Sequence, residues 1–222
     1  MQSMASASRR PLKTRSRPAA HAAAAWLARR GVTPNAISVA GVMAAAAAGT
    51  CLLLVPGRPA GAQVALLLGA GLLIQLRLAS NMLDGLVAVE GGMGTRTGPL
   101  FNEVPDRLAD LLGLVPAGYA ISWVGWGSEL GWAAGVLAVL TAYVRLLGGS
   151  LGQEQRFTGP MSKPHRMFVL TLACLASAIE VGIASSDFEG VALALGLAVI
   201  VVGSAVTFAA RLRHISAALP GD

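Results

Sequence analysis

Six long apolar runs dominate the chain, and short segments rich in glycine, proline or charge separate them. The runs cover residues 35–55, 60–88, 100–123, 130–148, 164–185 and 190–210. A helix needs roughly 20 apolar residues to cross a hydrocarbon core about 30 Å thick, so each run predicts a transmembrane helix. Pro56-Gly57 follows the first run, a glycine cluster at 91–98 follows the second, and Gly148-Gly149 follows the fourth. Such residues punctuate helices. The second and third runs are the least clean, because polar and acidic residues interrupt them. Ahead of the first run, "PAAHAAAAWLARR" predicts a short helix at the membrane surface over residues 19–31. Trp26 and Leu27 would face lipid there, and Arg29 and Arg30 the headgroups. Residues 1–18 read as a disordered basic arm, 32–212 as one all-α membrane domain of six helices, and 213–222 as a tail.

Composition agrees with this pattern. Only 13% of the residues are charged and 55% are hydrophobic, with a mean hydropathy of +0.64. Soluble domains carry about 25% charged residues. A formal net charge of +6 would suggest nucleic acid in a soluble protein, but its distribution argues otherwise. Seven basic residues, from Arg9 to Arg30, precede the first run. Arg96 follows the second run, Arg156, Lys163 and Arg166 cluster after the fourth, and Arg211 and Arg213 close the sixth. With six spans all of these fall on one side, and the other side keeps Arg58 with Glu129, Asp187 and Glu189. That is a positive-inside pattern. It places both termini in the cytoplasm, in a bacterial-type cytoplasmic membrane, with the basic residues near anionic lipid and no nucleic-acid partner. "SRRPLK" resembles a twin-arginine export signal, but the apolar core and cleavage site of a leader do not follow it. Cys51 and Cys174 sit inside apolar runs and read as packing residues.

The candidate chemistry lies between residues 81 and 110, which hold three aspartates and two glutamates. A carboxylate at membrane depth costs on the order of 2.5–3.5 kcal/mol, so these groups need a polar cavity, an ion or a partner. Asn81, Asp84 and Ala88 share one face of a helix by their spacing of three and four. Asn102, Asp106 and Asp110 recur every four residues and share another. A short glycine-rich link brings the two faces together near the cytoplasmic interface. Two carboxylates and two amides of this kind suit a hard divalent cation, Mg²⁺ or Mn²⁺. The cluster "GGMGTRTG" lacks the lysine of a phosphate-binding P-loop and carries no nucleotide role by itself.

The spacing Asn81-x2-Asp84-Gly85-x2-Ala88, then Gly98-x3-Asn102-x3-Asp106, resembles the signature of the CDP-alcohol phosphotransferases, D-x2-D-G-x2-A-R-x8-G-x3-D-x3-D. "TPNAIS" at the start of the first run adds to the resemblance, which covers residues 21–212. Three positions depart from it: Asn81 and Asn102 stand for aspartates, and Val89 for the arginine. The resemblance implies a membrane enzyme that takes a CDP-linked donor, usually CDP-diacylglycerol. A hydroxyl acceptor attacks it, CMP leaves and a phosphodiester lipid forms. Asp106 would be the general base. Asp84, Asp106, Asn81 and Asn102 would hold metal, and Gly85, Ala88, Gly98 and Asn35 would lie against the CDP moiety. The family usually binds two ions; with two negative charges missing, metal affinity is expected to fall, and the count, one ion or two, stays open. Glu103 points about 100° away from Asn102 on a helix and does not replace its charge. Arg96, Arg107 or Arg77 is expected to take over the diphosphate contact of the missing arginine. Arg145, Lys163 and Arg166 are the candidates for an acceptor that carries phosphate. The lone His165 reads as an interfacial residue. The resemblance also implies a homodimer. Two other classes remain open: an inactive relative that binds CDP-lipid or partners, and a transporter with buried charge along its path.

Overall fold

The computed structural model of the protein describes residues 18–93, 97–153, 155, 157–183 and 190–219. The expected arm falls almost wholly outside the described residues, as do Arg96 and Arg156. Seven helices run through the described residues: α1 (Pro18–Arg29), α2 (Pro34–Leu53), α3 (Ala60–Glu90), α4 (Gly98–Tyr119), α5 (Gly127–Ser150), α6 (Lys163–Ile183) and α7 (Val191–Ala218). Five of them, α2, α3, α5, α6 and α7, are long and apolar enough to cross a membrane. The protein is thus an all-α membrane protein. Helix α4 has 22 residues but carries Glu103, Asp106, Arg107 and Asp110 within them.

Local chemistry explains the boundaries. The Thr33 hydroxyl accepts from the Ala36 amide at 3.2 Å and Pro34 opens α2, a side-chain cap followed by a residue that needs no amide partner. Gly57 and Gly92 adopt positive φ after α2 and α3. The expected break at Gly148-Gly149 is not there, because α5 continues to Ser150 and the chain turns at Gly152, with φ +79°. Gly148 instead gives room to Ile215 of α7, whose side chain would lie 3.0 Å from a Cβ. Ile215 is buried, and its carbonyl accepts from Gln153. These contacts hold α7 helical to Ala218, through most of the segment expected as a tail.

The packing forms a closed ring in the order α2, α3, α6, α7, α5, α4 and back to α2. Helices α3 and α4 follow each other in sequence but scarcely touch, and α2 lies between them. Close approach is built in at α2 against α4. Pro116 deprives the Leu112 carbonyl of its helical amide partner, and Gly49 faces that carbonyl: a Cβ there would lie 2.9 Å from the Pro116 ring and closer still to the Leu112 oxygen, so there is no space for one. Buried alanines and leucines fill the centre of the ring, among them Ala48, Leu67, Leu114, Ala138, Leu170 and Leu197.

Helix α1 packs on α3, with Ala20 and Ala24 against Leu86 and Val87. Trp26 is half exposed, under the Arg30 guanidinium at 4.7 Å, but Leu27 turns inward onto that cluster. Adjacent residues on a helix point about 100° apart, so Trp26 and Leu27 do not share the outer face expected for both. The His21 imidazole pairs with Glu90 at the end of α3.

Candidate active site

A cavity of about 710 Å³ opens between the ends of α3, α4, α5, α6 and α7, with Ala19, Ala20 and Ala23 of α1 along one side. From α3 and α4 it is lined by Asn81, Asn102, Glu103, Asp106 and Arg107. Arg145, Lys163, Arg166 and Arg211 face them from the other three helices. Asn81 of one face marked by spacing and Asn102 and Asp106 of the other therefore meet at one cavity, and the three basic candidates for acceptor binding line it too. Asp84, Gly85, Ala88, Gly98 and Asn35 do not line it. Asp84 is buried behind the wall, where Ser38 of α2 donates to its Oδ2 at 2.7 Å. Gly85 and Ala88 are half-buried on α3, and Gly98 and Asn35 stand at the starts of α4 and α2.

Asp106 is the hub. Its Oδ1 accepts from Arg77 Nη2 at 2.5 Å, from the Asn81 amide and from the Lys163 ammonium. Its Oδ2 keeps only Arg107, at 3.6 Å. The other acidic groups are paired with equal care. Glu103 takes Arg145 at 2.6 Å, and Arg145 also donates to Gln155 at 2.7 Å and lies over the Phe157 ring. Asp110, fully buried, takes Arg166 at 2.9 Å. Each basic candidate thus already holds a carboxylate, and an anionic ligand competes with that carboxylate. Glu103 has gone to Arg145, as its direction away from Asn102 requires.

Arg77 does not reach the cavity. It is 2% exposed on the inner face of α3 and directs its charge at Asp106, so it is not a diphosphate contact. Of the arginines expected to replace the missing one, Arg107 lies on the cavity wall, and Arg96 lies outside the described residues. Arg211 was read in the sequence as flanking charge. It is buried and donates to the Thr158 carbonyl at 3.0 Å and the Thr141 carbonyl at 2.5 Å. Its place directly at the end of an apolar run was the available signal. His165 bonds the Pro160 carbonyl at 2.8 Å and is exposed. Glu180 lies away from this cavity. It accepts from the Gly190, Val191 and Ala192 amides at 3.0–3.1 Å and so caps α7.

Among the described residues no three His, Cys, Asp or Glu side chains are grouped to hold a metal ion. The oxygens at hand are those of Asn81, Asn102 and Asp106 on the cavity wall and of Asp84 behind it. Oxygens of this hardness fit a divalent cation.

No protein-family model matches the chain. A phosphatidylinositol phosphate synthase of Mycobacteroides abscessus is 30% identical over 198 residues, 86% of this chain and 81% of that protein. Inner membrane protein YnbA of Escherichia coli is 29% identical over 154 residues, 69% of this chain and 72% of that one. Among solved structures, the phosphatidylinositol phosphate synthase of Mycobacterium tuberculosis shares the fold. Its form with CDP-DAG bound gives a TM-score of 0.69 at 20% identity, over 88% of this chain and 92% of that one. Its form with manganese and citrate gives 0.71 at 21%, over 91% and 90%. The signature spacing and the relative aligned over most of both chains agree: the chain belongs to the CDP-alcohol phosphotransferase family.

Proposed function

We propose that the protein is a phospholipid-synthesising transferase. It moves a phosphatidyl group from CDP-diacylglycerol to an alcohol, with release of CMP. The observation that carries this reading is the meeting of Asn81, Asn102 and Asp106 with a wall of arginine and lysine at one cavity, in a chain of this family. The relatives' name states a product that bears an inositol phosphate. Arg145, Arg166 and Arg211 suit a phosphorylated acceptor of that class, because guanidinium groups match phosphate oxygens.

The acceptor hydroxyl attacks the phosphorus that bears the lipid. A new O–P bond forms as the bond to CMP breaks, and Asp106 takes the hydroxyl proton on Oδ2, the oxygen that its three donors leave free. Asp84, Asp106, Asn81 and Asn102 would hold the Mg²⁺ or Mn²⁺, which would supply positive charge against the diphosphate. Arg107 lies on the wall for the same diphosphate. Gly85, Ala88, Gly98 and Asn35 remain the proposed surface for the cytidine end, which would reach past the cavity to the start of α2.

Six helices, α2 to α7, cross the membrane in this reading, with both termini and the cavity on the cytoplasmic side. At 1.5 Å per residue, the 31 residues of α3 run about 46 Å. A crossing that starts at Ala60 uses up the hydrocarbon by about residue 80, which leaves Asn81 and Asp84 at the headgroup level. Helix α1 lies along that surface. A homodimer belongs to the same proposal. Gly49 and Gly148 pack inside one chain, so its interface lies elsewhere.

The test uses purified protein in lipid nanodiscs with CDP-diacylglycerol, a panel of alcohols that includes inositol phosphates, and Mg²⁺ or Mn²⁺. Acceptor-dependent CMP release is expected. Donor binding without CMP release for every acceptor would reduce the protein to a binding relative.

A further inference from the structure

Arg77 is an expensive residue. It is the largest fully buried side chain among the described residues, and it sits in the middle of an apolar run. Nη2 reaches Asp106, but Nε and Nη1 are buried with no hydrogen-bond partner. A buried cation without full compensation costs several kcal/mol, so the fold bears that cost for something. Room is made for it as well. Gly41 of α2 faces the guanidinium, and a Cβ there would lie 3.1 Å from Nη1 and 3.2 Å from Cδ.

Charge counting shows what the arginine does. Asp84, Asp106 and Glu103 bring negative charge to the centre; Arg77, Lys163 and Arg107 on Asp106 and Arg145 on Glu103 bring more positive charge than that. The formal sum is already positive by one before any ligand arrives. A divalent ion adds to that excess and is held together with the negative charge of a diphosphate. A second would add as much again, and each carboxylate on the cavity wall is already paired with a cation.

We propose that Arg77, with Lys163 beside it, is a fixed cation of the centre, so that the site takes one divalent ion rather than two and holds it together with the donor's diphosphate. Arg77 acts through Asp106 and touches no substrate: it is a positioning residue. It orients the Asp106 carboxylate and offsets its charge from behind, while Lys163 does so from the cavity. The inference rests on the transferase reading for its diphosphate. Its claim about ion number stands on the charges alone.

The test is Mn²⁺ binding followed by electron paramagnetic resonance, on the full chain in nanodiscs, with and without CDP-diacylglycerol. The wild type is expected to bind one ion per chain, more tightly with the donor. Arg77→Gln keeps a donor for Asp106 but removes the charge. It should bind Mn²⁺ about tenfold tighter or more without donor, or take up a second ion, because a like charge has left the neighbourhood. Arg77→Lys should behave as the wild type, and Lys163→Gln should shift in the same direction as Arg77→Gln. A role in packing alone would leave ion affinity unchanged or lower it. Two ions on the wild type, no ion on it, or unchanged or weaker binding in both Arg77→Gln and Lys163→Gln would each overturn the proposal. Absence of CMP release from the wild type would sink the transferase reading and leave the Mn²⁺ count to decide this one.

Discussion

Asp106→Asn and Asp84→Asn differ by one carboxylate each, yet the structure assigns them very different consequences. Asp106 faces two cations through one oxygen, Arg77 at 2.5 Å and Lys163. Taking one partner out of a buried ion pair costs about 3–5 kcal/mol. The pair borders the cavity, which puts the expected loss at the lower end, about 3 kcal/mol. Asp84 accepts one side-chain hydrogen bond, from Ser38 at 2.7 Å, and an asparagine oxygen can still accept it. A loss of about 1 kcal/mol follows, since only the charge assistance of one bond disappears. Thermal unfolding in one detergent should therefore rank wild type, Asp84→Asn and Asp106→Asn in that order. Activity should separate the two in a second way. Without its general base the Asp106 variant should release CMP about 10²–10⁴-fold more slowly, and added Mn²⁺ should not restore it. The Asp84 variant should recover part of its rate as Mn²⁺ is raised. Equal unfolding temperatures for the two variants would refute the hub assignment. Rescue of Asp106→Asn by Mn²⁺ to the same extent as Asp84→Asn would refute the base.

Glu180→Ala should lower stability by about 1 kcal/mol, the usual worth of a lost helix cap, with CMP release per folded molecule unchanged; a changed rate constant would tie Glu180 to the site. Gly49→Ala should cost about 1–3 kcal/mol, as overpacking does, because α2 and α4 must part where Gly49 lies on the Leu112 carbonyl. Unchanged stability there would mean that the helices separate freely. A reporter fused after Asp222 should read cytoplasmic and one inserted beside Glu129 external. The reverse pair would overturn the six-span topology.

The helices and the signature were legible because both are periodic. Apolar runs of bilayer length mark the elements, and spacings of three and four place Asn81 with Asp84 and Asn102 with Asp106. Neighbourhood was not legible. Periodicity says which residues share a helix face but not which helix that face meets, so the ring order, the Ser38–Asp84 bond and the Arg166–Asp110 pair stayed hidden. Arg77 stands four residues before Asn81, on the same face, and its spacing fits a cavity residue. Only the tertiary structure reveals that it turns inward to Asp106. Gly148-Gly149 misled for a related reason: glycine serves turns and close helix contacts alike, and here it serves contact with Ile215.

The ring also sets an order of assembly. Asp106 leaves the ribosome after Arg77, so its first counterion is already in place on α3 when α4 is made. Asp110 has no such help, because its partner Arg166 lies 56 residues downstream. At about 5–20 residues per second the wait is about 3–11 s, through the synthesis of all of α5. During that interval α4 carries an uncompensated carboxylate and is a poor candidate to enter lipid by itself. Its insertion is completed by a helix that does not yet exist: the arrival of α6 neutralises Asp110, and α7, between α6 and α5, then closes the ring. Truncated chains that end before Arg166 are therefore the forms that a membrane quality-control protease should find most readily.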